Sequence, residues 1–85
     1  MKELKTNYCN EKSFYGKANI IEYPDYILLQ SYKTIVAQIE NGKAIVNGTY
    51  SATTLRHIKE FLKQFGFKAE SKAQIEKDYY GRLNY

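Results

Sequence analysis

The run Tyr50-Ser51-Ala52-Thr53-Thr54-Leu55-Arg56-His57-Ile58-Lys59-Glu60-Phe61-Leu62 gathers the side chains most able to do chemistry in this 85-residue chain, its only histidine among them. It reads as a hydroxyl-rich helix start leading into an amphipathic, basic helix. The unpaired N–H groups and the positive dipole end of a helix N-terminus attract anions. Here Thr49, Ser51, Thr53 and Thr54 add hydroxyls, Arg56 a planar fork matched to phosphate, and His57 a further donor. A nucleotide or backbone phosphate would suit that set. The plainer account is that Ser51 or Thr53 is the N-cap and the remaining hydroxyls satisfy nearby backbone groups.

About 100° per residue places Arg56, Lys59 and Lys63 along one outward stripe, with Lys68 and Lys72 following in the connection. Near Tyr32 and Tyr50, such a stripe could track a phosphate backbone while an aromatic ring stacks on a base. Glu60 interrupts the stripe and is expected to pair with Lys63 or Gln64, and a solvated helix face is the commoner meaning of such charges.

Nucleophilic and metal chemistry find little support. Cys9, the only cysteine, lies in the least patterned segment with nothing nearby in sequence to lower its pKa. His57 is expected on the helix edge beside Phe61, half-buried and bonded to a backbone carbonyl. One Cys and one His cannot furnish a four-ligand zinc site, and the acids Asp25, Glu40, Glu60, Glu70, Glu76 and Asp78 are scattered. There is no Walker loop, GxGxxG or serine elbow. The expectation is a non-enzymatic protein without cofactor or metal.

The elements that would hold these residues fit one domain, too small for a cleft between lobes. No apolar run reaches the roughly 20 residues of a bilayer span, and Met1-Lys2-Glu3-Leu4-Lys5 lacks a signal-peptide apolar core. With one cysteine, a reducing cytoplasm is the expected location. Residues 1–50 carry six Lys against five acids, and residues 51–85 carry five Lys and two Arg against four, so the net +4 is concentrated in the C-terminal part. That balance mildly favours polyanionic partners. Nine tyrosines and no tryptophan make Tyr the available aromatic for any interface.

Residues 1–13 lack periodicity and read as a flexible or edge-strand arm, followed by a single α+β domain over 14–85. Phe14 to Glu22 has strand content broken by Gly16, Tyr23-Pro24-Asp25 is a turn, and Tyr26 to Tyr32 is a central strand. Asn41-Gly42 supplies a type I′ turn for a hairpin over Thr34 to Gly48. This register sets Glu40 against Lys43 and puts Ile35, Ala37, Ile39, Ala44 and Val46 on one face. Leu55, Ile58, Leu62 and Phe65, flanked by Phe61, form the helix stripe that covers the sheet, and Gly66 with Phe67 closes it in a Schellman arrangement. Ser71-Lys72-Ala73-Gln74 opens a short second helix towards Tyr80. The predicted architecture is a two-layer α+β fold: an antiparallel sheet of three to four strands, one main helix packed on it and a short C-terminal helix.

Over Tyr32 to Phe67 the chain resembles small proteins of unknown function from phages and plasmids of Gram-positive bacteria. The carriers are Ser31-Tyr32-Lys33-Thr34-Ile35-Val36-Ala37, the corner Asn47-Gly48-Thr49-Tyr50-Ser51-Ala52-Thr53-Thr54, and Arg56-His57-Ile58 with Phe61-Leu62. The resemblance implies an accessory protein that binds a host protein or nucleoprotein stoichiometrically. By analogy it suggests an inhibitor of a defence nucleoprotein of the anti-CRISPR type. The working surface would comprise Arg56, Lys59, Lys63, His57, Tyr50, Tyr32, Ser51, Thr53 and Lys68. Alternatives are sequence-independent DNA or RNA binding, a small regulator, or a structural homodimer joined through a strand edge or Tyr79-Tyr80 to Tyr85; no membrane partner is expected.

Overall fold

A computed structural model describes residues 1–10, 12–48 and 50–83. Five strands, β1 (Lys2–Glu3), β2 (Ala18–Glu22), β3 (Tyr26–Ser31), β4 (Thr34–Glu40) and β5 (Lys43–Val46), form one antiparallel sheet in chain order. Helices α1 (Ala52–Gln64) and α2 (Lys72–Tyr79) follow, giving an α+β fold. The sheet therefore has five strands where the sequence predicts three to four. The added strand is β1, which pairs Lys2 with Ile20 and Glu3 with Asn19, and a two-residue strand carries no periodicity to read. Directly after it, Leu4 donates its N–H to Ala18 O at 2.9 Å and buries its side chain in the core, so the packed chain begins well before Phe14.

The β4–β5 hairpin follows its turn chemistry. Asn41 and Gly42 have φ of 53° and 74°, the left-handed pair a type I′ turn requires, and Glu40 faces Lys43, Ile39 faces Ala44 and Ala37 faces Val46. The register of β3 against β4 shifts between Leu29 and Gln30, so that Leu29 opposes Ala37 while Gln30 opposes Ile35. Val36 is the extra residue of this bulge and joins the core beside Ala37, whereas Ile35, expected on the core face, is displaced from it. The expected strand Tyr26 to Tyr32 stops one residue early, because Tyr32 and Lys33 form the turn into β4 and Tyr32 adopts a left-handed φ of 57°.

Ser51 caps α1 by accepting the Thr54 N–H at 3.2 Å. At the other end Gly66, with φ 84°, donates to Lys63 O and Phe67 donates to Leu62 O, the two bonds of a Schellman motif. Ser71 caps α2 by accepting from the Gln74 N–H at 3.1 Å. After α2, Tyr80 bridges Val46 in parallel and Gly81 N–H bonds Val46 O, fastening the C-terminal segment to β5. No helix among the described residues is long and apolar enough to cross a membrane.

The buried face of α1 comprises Thr54, His57, Ile58, Glu60, Phe61 and Leu62. It is turned towards the polar side of the predicted stripe, leaving Leu55 half-buried and Phe65 exposed. The N-terminal arm is the cause, since it covers the flank of α1 that the sequence leaves to solvent. Glu60, 1% exposed, accepts the backbone N–H groups of Asn7 and Tyr8, each at 2.9 Å, and the Gln64 side-chain amide at 2.6 Å. Gln64 also donates to Lys5 O at 2.6 Å. One buried carboxylate thus ties the arm to the helix. Glu60→Ala should cost about 2 kcal/mol in urea unfolding and speed amide exchange at Asn7 and Tyr8; wild-type protection of both amides in the variant would contradict this tether.

Candidate functional site

One polar side chain from β3 and two from α1 meet where the end of β3 passes under the first turns of the helix. Ser31 Oγ lies 2.8 Å from His57 Nδ1 and 3.0 Å from Thr54 Oγ1. Ser31 is 2% and His57 1% exposed, so the group is internal, and His57 is neither half-buried nor bonded to a backbone carbonyl as expected. Phe14 packs edge-on against the imidazole at 4.5 Å, and the Tyr32 ring lies 5.8 Å from it.

The hydroxyl order fixes the imidazole's proton. Ser51 donates to Thr54 Oγ1 over a long 3.4 Å, so the Thr54 proton goes to Ser31 Oγ and the Ser31 proton to His57 Nδ1. The reverse order would leave the Thr54 hydroxyl proton only the long 3.4 Å contact to Ser51 Oγ, which already accepts the Thr54 N–H. Nδ1 is therefore the acceptor, and the neutral ring carries its proton on Nε2. Burial, together with the Arg56 charge, lowers the His57 pKa below the ordinary 6.5 and favours that neutral form.

Around this floor are two open hollows that share Arg56. One, of about 230 Å³, is lined by Ser13, Phe14, Tyr15, Lys17, Tyr32, Thr53, Arg56 and His57. The other, of about 210 Å³, is lined by Tyr8, Cys9, Asn10, Arg56, Lys59, Glu60 and Lys63. Among these lining residues Glu60 is the sole carboxylate, and both its oxygens are already engaged by N–H donors. Tyr15 and Tyr32 are 73% and 48% exposed and both hold left-handed backbone, at φ 52° and 57°, a conformation that costs a bulky residue roughly 1–2 kcal/mol. Lys17 Nζ stands 5.6 Å from the Tyr32 ring centroid, and Tyr32 N–H donates to Lys17 O.

The residues singled out from sequence thus divide into groups. Arg56, Lys59 and Lys63 border the second hollow, while Arg56, His57, Thr53 and Tyr32 border the first. Ser51 is the helix cap. Tyr50 is directed elsewhere, its hydroxyl donating to Asn47 Oδ1 at 2.7 Å. Lys68 lies in the α1–α2 connection within 3.9 Å of Glu70 and lines neither hollow. Thr49 and Tyr85 are outside the described residues. Sequence reasoning missed Tyr8, Tyr15 and Lys17, and gave Ser31 no site role although it opens a motif that carries the resemblance; for the two tyrosines the one signal was the density of that residue type. No group of three His, Cys, Asp or Glu among the described residues could hold a metal ion.

Fold and site together define a small α+β domain, an antiparallel meander under one main helix, joined to it through a buried Ser–His–Thr contact. The chain belongs to a family of unknown function, DUF8033, whose model matches residues 2–77. No curated protein and no solved structure matches it. Ser31, from the strand motif, and Thr54 and His57, from the helix motif, form one physical contact.

Ser31→Ala removes the donor to Nδ1 and the acceptor for Thr54, and should cost about 1–3 kcal/mol at neutral pH by urea unfolding. Because the folded imidazole binds its proton less readily than the unfolded one, His57 contributes stability that is full above 6.5. That stability is lost as pH falls through 6.5 towards the lowered folded value. Urea midpoints measured across that window should fall on acidification, and a flat or rising profile would contradict the assignment.

Proposed function

We propose that the protein is a non-enzymatic accessory protein of a phage or mobile element, acting inside a bacterial cell by stoichiometric binding. Its surface centred on Arg56 takes a nucleic-acid strand, either bare or as the RNA of a defence nucleoprotein that it inhibits. The carrying observation is the pair of hollows sharing Arg56, bordered by Lys17, Lys59 and Lys63 and by the exposed rings of Tyr8, Tyr15 and Tyr32. Cations along a groove neutralise phosphates, and flat aromatic rings beside them offer stacking platforms to bases of any identity.

The Ser31–His57 pair does not favour hydrolysis. The serine is buried, its hydroxyl is shared with Thr54, and no carboxylate among the described residues orients the imidazole. Two tyrosines held in left-handed turns, where Gly or Asn would cost less, favour selection for exposed aromatic surface over stability.

Fluorescence anisotropy with single-stranded RNA or DNA tests the reading. Affinity should fall steeply as salt rises, and Arg56→Ala and Lys63→Ala should each flatten the log–log slope by about one unit. Lys68→Ala should leave the slope unchanged. Absence of any strand binding at low salt overturns the proposal.

A further inference from the structure

His57 carries an unused donor. Its Nδ1 is committed to Ser31, and Nε2, on the far side of the ring, has no hydrogen-bond partner among the described residues. Gln30 Oε1 is the one fully enclosed side-chain N or O atom left without a partner among those residues, so Nε2 is not wholly enclosed. The residue is only 1% exposed, yet it lines the hollow beneath Tyr15, Lys17 and Tyr32. A neutral ring that accepts at Nδ1 presents an N–H at that opening. Among the described residues the lining includes two cations, Lys17 and Arg56, the Thr53 hydroxyl and no carboxylate. Such a donor set matches a tetrahedral oxyanion and mismatches a cation.

We infer that this hollow is a phosphate subsite, in which His57 Nε2–H donates to a phosphate oxygen from the floor, Lys17 neutralises it from the wall, and the adjoining base lies over Tyr32. This rests on the strand-binding reading above and adds to it one fixed contact inside an otherwise sequence-independent surface. The Ser31–Thr54 hydroxyl relay is then a positioning device, since it sets which ring nitrogen carries the proton. Lys17, held 5.6 Å from the Tyr32 centroid, is placed to serve both the phosphate and the stacked ring.

Long-range ¹H–¹⁵N spectra of the full chain at neutral pH provide the test, because the single histidine makes the ring signals self-assigning. The probes are a 5′-phosphorylated thymidine dinucleotide and, separately, inorganic phosphate. The dinucleotide should move Nε2 saturably while Nδ1 stays nearly fixed. Lys17→Ala, at an exposed position, should raise the half-saturation concentration about ten-fold without lowering the melting temperature. A stationary Nε2 overturns the subsite even where the Lys59 and Lys63 amides respond to the dinucleotide, which would leave the strand-binding reading intact. A response to inorganic phosphate that the dinucleotide does not reproduce also overturns it, since the hollow would then take only a free anion. No response to the dinucleotide anywhere on the chain overturns the strand-binding reading as well.

Discussion

The hydrogen bond from Ser31 to His57 Nδ1 is the contact on which the arrangement of this protein depends. It joins the last residue of the central strand to the second turn of the main helix across 26 positions of sequence. An imidazole placed between layers must be satisfied, because an unpaired buried polar group costs as much as many apolar contacts supply. Ser31 and Thr54 supply that satisfaction, and in doing so they fix how α1 is rotated over the sheet. The rotation brings Glu60 inward as well, where it becomes the anchor for the arm. Arm, helix and β3–β4 turn then converge, and the hollows beside Arg56 follow from that convergence.

This geometry sets one face of a mildly basic domain apart from the rest of its surface. Inside the packed layers Ser31, Thr54, His57 Nδ1 and Glu60 are paired, and outside them cations and tyrosines stand around Arg56. The left-handed tyrosines at 15 and 32 reduce stability slightly, but they direct two aromatic rings to the mouth of the hollow over His57. Tyr50 shares the same backbone conformation, at φ 54°, yet its hydroxyl is occupied by Asn47 in a local corner.

Elements governed by local chemistry were legible in the sequence. Asn41-Gly42 specified a turn type and through it a register; Ser51, Ser71 and Gly66 marked helix ends for the physical reasons that favour them there. Elements governed by distant partners were not. The β3–β4 turn carries Tyr32-Lys33 in place of the Gly, Asn or Pro that announces a turn, so the strand was read one residue too far. The bulge that exchanges Ile35 for Val36 in the core leaves no mark in an unbroken apolar run. Glu60 looked like a surface charge because the amides that bury it come from Asn7 and Tyr8. The candidate surface was half legible: the helical stripe of Arg56, Lys59 and Lys63 follows from spacing alone, whereas Lys17 and Tyr15 join it only through the fold.

At the centre of the molecule is an imidazole whose proton position is set by a relay of hydroxyls, and the tautomer of His57 in the free protein tests this most directly. Ring ¹⁵N shifts at neutral pH should show an unprotonated Nδ1 and a protonated Nε2, with Ser31→Ala shifting the ring towards a mixture of tautomers. A ring protonated at Nδ1, or one that titrates at or above the ordinary 6.5, would contradict the account.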